Sequence, residues 1–135
     1  GRYTQVMKKY INIKNCIRIL FLIYIMWNIY NAEIAKSTYR HDVDYQVSRF
    51  QEYNVQPIRI DKRDRLGGYY SVYLYYGDIS DKELDSVILD LYNDGFIEYS
   101  DKHNKKFHKN NVSVVFVRNN DKSTEILVTI YEGRE

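Results

Sequence analysis

The hydrophobic positions of the chain form one continuous run near the N-terminus and several shorter periodic segments after it. The continuous run is uninterrupted from Ile19 to Trp27. Even when it is extended across Asn28 and Asn31 to Ala32, it stays shorter than the roughly 20 residues that a comfortable membrane span needs. A run of this length is typical of the apolar core of a signal peptide.

The charges around this run indicate export. The first acidic residue of the chain is Glu33, and every charged residue before it is basic, namely Arg2, Lys8, Lys9, Lys14 and Arg18. A positive segment followed by an apolar one is the pattern of a secretion signal or of an N-terminal anchor. We therefore expect residues 1–35 to be a signal peptide or membrane anchor that directs the chain to the periplasm. Its membrane or signal residues are Ile19, Leu20, Phe21, Leu22, Ile23, Tyr24, Ile25, Met26 and Trp27.

Three alternatives stay open for this segment. Ala32 and Ala35 are small enough to flank a cleavage site, but the minus-three positions hold Tyr30 and Glu33, which are not small. An uncleaved anchor would keep the positive residues inside and place Trp27 and Tyr30 near the outer interface. The run is also compatible with a buried segment of a cytosolic core, because periodicity alone does not assign a short apolar run.

Two helices are predicted after the leader. Ser37 or Thr38 is expected to cap the first, which continues to about Asn54. Its apolar positions recur at helical spacing: Tyr39, Val43, Val47 and Phe50. The second begins with the capping box 80–83 and is expected to end at Gly95. Its apolar stripe consists of Leu84, Val87, Ile88, Leu91 and Tyr92.

Alternating apolar and polar residues predict five strands. The expected strands cover residues 55–61, 69–76, 96–99, 112–118 and 124–131. Residues 61–65 are expected to form a charged turn of the first hairpin, and residues 100–111 a polar loop. We therefore predict an α+β fold with a mainly antiparallel sheet of about five strands and two helices on one face, in a single domain over residues 36–135.

Charge and cysteine content narrow the class of protein. The whole chain has a formal net charge of +2, with 20 Lys and Arg and 18 Asp and Glu. Because five of the basic residues belong to the leader, the predicted domain is mildly acidic, which argues against a nucleic-acid binder. A winged-helix fold stays an alternative, but its recognition helix would be acidic. Cys16 is the only cysteine, so no intramolecular disulfide forms.

No residue pattern indicates an enzyme or a metal site. Known nucleophile, zinc-protease, phosphate-loop and dinucleotide signatures are missing from the sequence. The cluster 41–44 contains metal-ligand types, but consecutive helical residues do not converge on one ion. His103 and His108 lie among lysines, and Asp61 and Asp64 alternate with cations that would keep both ionised. We predict a protein without enzymatic activity, cofactor or metal.

The tyrosines of the second strand suggest a protein-binding surface. Alternation places Tyr70, Val72, Leu74 and Tyr76 on an apolar side, and Tyr69, Ser71, Tyr73 and Tyr75 on the other. Outward tyrosines are typical of protein interfaces, and a mixed-charge turn beside them can steer a partner. The predicted partner-binding residues are Asp61, Lys62, Arg63, Asp64, Arg65, Tyr69, Tyr73 and Tyr75. In the alternative interpretation, the rings only cover the sheet and the turn is solvated.

The order of these parts, with a leader over residues 7–30 and a domain from Ala35 onward, resembles the small periplasmic immunity proteins that protect bacteriocin producers from toxins of the colicin M or pesticin kind. The resemblance is one of layout. It implies that the domain inhibits a toxin in the periplasm by stoichiometric binding. The alternatives are a membrane-anchored accessory component of a bacterial secretion or conjugation assembly, and a cytosolic binding module or weak enzyme in which the apolar run is core.

Overall fold

The computed structural model describes residues 2–133. Its elements, in chain order, are α1 (Arg2–Glu52), β1 (Arg59–Asp64), β2 (Tyr70–Asp78), α2 (Asp81–Asn93), β3 (Ile97–Glu98), β4 (Lys105–Lys109), β5 (Val112–Arg118) and β6 (Ser123–Ile130). The strands form one sheet in the order β1-β2-β6-β5-β4-β3. All neighbouring strands are antiparallel. The predicted α+β class is confirmed, but the sheet has six strands where the sequence predicts about five, and it does not have the winged-helix layout.

The sixth strand is β4, which lies where we expected a polar loop over residues 100–111. Its single apolar residue, Phe107, is fully buried, and three of the other four residues of the strand are lysines. Phe107 pairs with Val114 of β5, and His108 pairs with Ile97 of β3. Pairing on both sides and one buried ring hold this segment in the sheet although its own strand propensity is low.

The charged segment that was expected to be a turn is mostly strand β1. Arg59 pairs with Tyr75 and Asp64 with Tyr70, so residues 61–64 belong to the ladder. The turn follows over residues 65–69, where Gly67 has a φ of +73°. The expected strand over residues 55–61 is therefore displaced toward the C-terminus. Charged side chains are common on edge strands because they prevent pairing with other chains.

Helix α1 is continuous over 51 residues, about 76 Å in length. The predicted start at Ser37 or Thr38 is wrong, because both residues lie inside the helix. Their hydroxyl groups donate to backbone oxygens three residues earlier, Ser37 to Ile34 at 2.7 Å and Thr38 to Ala35 at 2.6 Å. Residues 2–56 contain neither Gly nor Pro that would end the helix. The expected boundary between leader and domain falls within α1.

Both helices pack on one face of the sheet and share one hydrophobic core. The C-terminal part of α1 contributes Tyr39, Val43, Val47 and Phe50, α2 contributes Val87, Ile88 and Leu91, and the sheet contributes Val72, Leu74, Phe107, Val114, Phe116, Ile126 and Val128. The predicted N-cap of α2 is confirmed, since Ser80 Oγ accepts a hydrogen bond from the Glu83 backbone N–H at 3.2 Å.

Candidate interaction surfaces

The segment of α1 from Ile17 to Trp27 has its apolar side chains exposed all around the helix. From Ile17 to Trp27, the large apolar side chains are between 38% exposed at Ile25 and 68% exposed at Met26. By length and composition, α1 is the one helix among residues 2–133 that could cross a membrane. None of the most apolar 18-residue stretch of this helix is buried. Since a helix that is apolar on every side needs an apolar environment, this segment can serve as a signal or an anchor.

The turn between β1 and β2 packs against α1 directly after this apolar segment. A Cβ atom at Gly67 would lie 3.5 Å from Ile29 Cγ1 and 4.0 Å from the Ile29 Cα, so the turn approaches the helix backbone closely. The Gly67 N–H also donates to Glu33 Oε1 at 2.8 Å. Glycine suits this position because it permits both the positive φ and the close approach.

Lys36 of α1 makes further contacts to the same turn. Its side chain is only 1% exposed, and its Nζ donates to Glu33 Oε1 at 2.7 Å and to Asp64 Oδ1 at 2.8 Å. A third bond goes to the Arg65 backbone oxygen at 2.6 Å, so every proton of the ammonium group has an acceptor. We call Glu33, Lys36, Asp64 and Gly67 the helix–turn clamp.

The clamp keeps its three side chains ionised. The hydrogen bond from Lys36 lowers the pKa of Asp64, assisted by the charge of Arg40. The hydrogen bonds from Lys36 and from the Gly67 N–H lower the pKa of Glu33, and the two carboxylates raise the pKa of Lys36. The contacts are therefore all present at neutral pH.

The clamp bears on where a leader could be removed. Ala32 and Ala35, the small residues considered for cleavage, lie within α1, and Ala35 separates Glu33 from Lys36. A cut after Ala35 would take Glu33 away from both Lys36 and Gly67. The structure thus makes part of the predicted leader a contact of the folded domain.

The opposite face of the sheet carries neither helix, and we call it the open face. Side chains alternate between the two faces along each strand, and paired residues of neighbouring strands lie on the same face. The side chains on the open face include Asp61, Arg63, Ser71, Tyr73, Tyr75, His108, Val115, Val117, Leu127 and Thr129. The Arg63 guanidinium lies over the Tyr73 ring, 4.3 Å from its centroid. Arg59 lies 5.1 Å from the Tyr75 ring centroid and pairs with Asp61 at 3.1 Å. Stacking of this kind holds the arginines flat on the tyrosines.

An aromatic cluster lies toward the other edge of the open face. His108 stacks on Tyr131 with a centroid distance of 4.1 Å and an interplanar angle of 7°. Tyr99 meets both rings edge-on at 5.3 Å, and its hydroxyl bonds Ser113 Oγ at 2.5 Å. A depression of about 380 Å³ lies between this cluster and β2, where Tyr69 and Ser71 line it. The open face therefore presents aromatic groups near both of its edges.

The predicted partner-binding residues do not form one surface. Asp61, Arg63, Tyr73 and Tyr75 lie together on the open face, and Tyr69 lines its depression. The remaining three lie elsewhere, because alternation along β1 sends Lys62 and Asp64 to the helix side and Arg65 belongs to the turn. Asp64 is held in the clamp, and Lys62 Nζ lies 3.9 Å from Asp44 Oδ1.

The sequence does not predict that Tyr99, His108 and Tyr131 belong to one surface. The alternation predicted over residues 124–131 already places Leu127, Thr129 and Tyr131 on one side, so part of the signal was present. His108 could not be assigned to a face, because its strand was expected to be a loop.

The end of α1 is fixed to the end of α2 by a polar cluster. Arg49 Nη2 donates to Asp94 Oδ1 at 2.9 Å, and the Tyr53 hydroxyl also donates to Asp94. Burial alone would raise the pKa of Asp94, but the bonds from Arg49 and Tyr53 lower it overall. The two helices are thus tied at the end of the domain that is far from the clamp.

Neither a metal centre nor a known relative defines the site. Within residues 2–133, no three His, Cys, Asp or Glu side chains are grouped so that they could hold a metal ion. The chain matches no protein family model, no curated protein and no solved structure. A functional assignment therefore depends on the geometry of α1 and of the open face.

Proposed function

We propose that this chain is a membrane-anchored protein-binding domain, held by α1 at the periplasmic side of a bacterial membrane. The observation that carries the proposal is the combination of two surfaces. One is a helix segment that is apolar on all sides, and the other is an aromatic, arginine-bearing sheet face that both helices leave uncovered.

The composition of the open face favours a protein as its partner. Tyrosine and arginine are the residues that contribute most to protein interfaces, and here Tyr73 and Tyr75 are each covered by a stacked arginine. The pairing of Arg59 with Asp61 adds charges of both signs along the edge. Such alternating charge fixes the register of a partner more than it increases the affinity.

Continuity of α1 favours an anchor that is retained. The helix has no break between its apolar segment and its buried segment, and Glu33 joins the clamp from the leader side. The basic residues before the apolar segment would stay inside, so the sheet would lie outside the membrane.

Of the two roles outside the cytosol that the sequence suggests, an anchored accessory component of an envelope assembly agrees best with a retained anchor. Neutralisation of a toxin in the periplasm, the role that the immunity-protein layout implies, would use the same open face and differ in the partner. The two roles make opposite predictions about which protein contacts Tyr73, so one experiment distinguishes them.

The test is site-specific photocrosslinking in intact cells. A photoreactive amino acid replaces Tyr73 in the full-length chain, and a matched control replaces Tyr45, which is 62% exposed on α1. We expect a discrete crosslinked product from position 73 and none from position 45. Mass spectrometry then identifies the partner as a resident envelope protein or as an added toxin. No product from position 73, or the same products from both positions, would contradict the proposal.

A charge reversal sharpens this test. Arg63→Glu removes the stacked guanidinium from Tyr73 and should abolish the crosslink. Lys82→Glu, an exposed position of α2, provides the control and should leave the crosslink unchanged.

A further inference from the structure

Leu66, at the tip of the turn between β1 and β2, is 79% exposed, more than any other large apolar side chain that the structure describes. It follows Arg65 and precedes Gly67, so the tip presents an apolar and a cationic side chain next to each other. A single exposed leucine is ordinary on a protein surface, so what Leu66 indicates depends on its position relative to the apolar segment of α1.

The clamp fixes this tip at one level of α1. Gly67 contacts the helix at Ile29, which is two residues, or about 3 Å along the axis, from Trp27. The rings of Trp27 and Tyr30 lie 6.2 Å apart on the helix, and both residue types concentrate at membrane–water interfaces. The tip therefore lies beside the part of α1 that would cross the interface.

The cationic group of the tip is available for a lipid phosphate. Asp64, the nearest carboxylate in sequence, is already bound by Lys36 and Arg40 at 2.8 Å and 2.6 Å. Only the backbone oxygen of Arg65 takes part in the clamp, and no carboxylate of residues 2–133 pairs with its guanidinium. Arginine binds phosphate through parallel hydrogen bonds, and phospholipid headgroups present phosphate at the interface of either leaflet.

We infer that the turn over residues 65–68 is a second membrane contact, in which Leu66 enters the interface of the bilayer that holds α1 and Arg65 binds lipid phosphate. The inference rests on the proposed anchoring of α1 and extends it. With both contacts in place, the tilt of α1 in the bilayer is restrained, so the open face keeps one orientation to the membrane.

Spin labels on the full-length chain test this contact. In a Cys16→Ser background, single cysteines replace Leu66, Leu89 and Leu22, and the chain is placed in nanodiscs of phosphatidylcholine and phosphatidylglycerol. Leu89 is the matched control, because it is 58% exposed on α2. We expect the label at position 66 to be several-fold less accessible to a water-soluble nickel chelate than the label at position 89.

The label at position 22 distinguishes a failure of the membrane anchor from a failure of the second membrane contact. If position 22 is protected and position 66 is as accessible as position 89, the second contact is wrong and the anchor stands. If positions 22 and 66 are both accessible, the anchor itself fails, and the second contact fails with it.

The proposed binding of lipid phosphate by Arg65 is tested separately. Arg65→Glu should raise the chelate accessibility of the label at position 66 several-fold, since it replaces an attractive group by a repulsive one. Lys82→Glu should leave that accessibility unchanged. Unfolding midpoints of both variants serve as a folding control, because neither side chain belongs to the clamp. An unchanged accessibility in Arg65→Glu would overturn the role of Arg65.

Discussion

The two halves of α1 have the same backbone and opposite surroundings. From Ile17 to Trp27, large apolar side chains are exposed on every side of the helix, whereas after residue 35 buried positions recur with a helical period. The buried positions of the second half are Lys36, Tyr39, Val43, Gln46, Val47 and Phe50. One continuous helix can therefore carry both an exposed apolar segment and a segment that packs in the domain core, provided that the arrangement of its apolar residues changes from all-round to one-sided.

The largest expected difference between the two halves of α1 is the loss of stability when a phenylalanine is replaced by alanine. Phe50 is fully buried in the core, so Phe50→Ala should lower the free energy of unfolding by about 3–5 kcal/mol. Phe21 is 63% exposed, and Phe21→Ala should leave domain unfolding unchanged. Denaturant unfolding of the full-length variants in detergent measures both. Equal losses would mean that the apolar run packs in the core of the domain.

Truncation locates the point at which the two halves divide. A chain that begins at Asn31 keeps the whole clamp and should fold as a soluble domain. A chain that begins at Ser37 lacks Glu33 and Lys36, which leaves Asp64 with Arg40 alone, and it should melt several degrees lower. Thermal unfolding followed by circular dichroism compares them. If the longer chain does not fold, residues 2–30 contribute more to the domain than their exposure indicates.

The pH dependence of stability reports the clamp itself. The pKa values of Asp64 and Glu33 are held below their ordinary 3.8 and 4.5, so their contribution is complete above these values and is lost as the pH falls below them. The pKa of Lys36 is raised above 10.5, so its contribution is complete below that value and is lost as the pH rises further.

The variant Lys36→Met tests this pH dependence, because it removes the cation that Glu33 and Asp64 share. Urea midpoints of the parent and the variant should differ most between about pH 5 and pH 10, and the difference should shrink at both extremes. A difference that did not change with pH would show that Lys36 stabilises the fold by packing alone.

A smaller effect distinguishes two buried tyrosines of β2. The Tyr70 hydroxyl donates to Asp44 of α1, so Tyr70→Phe should cost about 1 kcal/mol. The Tyr76 hydroxyl is buried and has no hydrogen-bond partner within residues 2–133, so Tyr76→Phe should be neutral or slightly stabilising. Unfolding midpoints of the two variants measure the contrast. A larger loss for Tyr76→Phe would contradict it.

Local patterns were sufficient for part of the fold. The N-cap at Ser80, the buried positions Val87, Ile88 and Leu91 of α2 and the division of β2 into two faces all follow from residue spacing, and the structure confirms them. Tyr92, which was predicted in the same stripe of α2, is exposed. These features depend on neighbours within one or two turns or on strict alternation, which are the interactions that sequence reasoning describes best.

Longer-range features were not predictable in the same way. Ser37 and Thr38 are good N-cap residues, but no helix breaker precedes them, so α1 continues through both. Lys36 is separated from Asp64 by 28 residues, and nothing local indicates that they meet. Strand β4 is held by pairing with β3 and β5, which lie on either side of it. The turn between β1 and β2 lies further toward the C-terminus than predicted, at the point where Gly67 approaches Ile29.

The central claim is that α1 stays attached to the domain and lies in a membrane. The most direct test is the intact mass and N-terminal sequence of the chain recovered from fractionated bacterial cells. We predict the uncut chain in the membrane fraction, resistant to extraction at high pH and released by detergent. A soluble periplasmic product that begins near Glu33 or Lys36 would contradict the claim, because α1 would then have been cut within or just before the clamp.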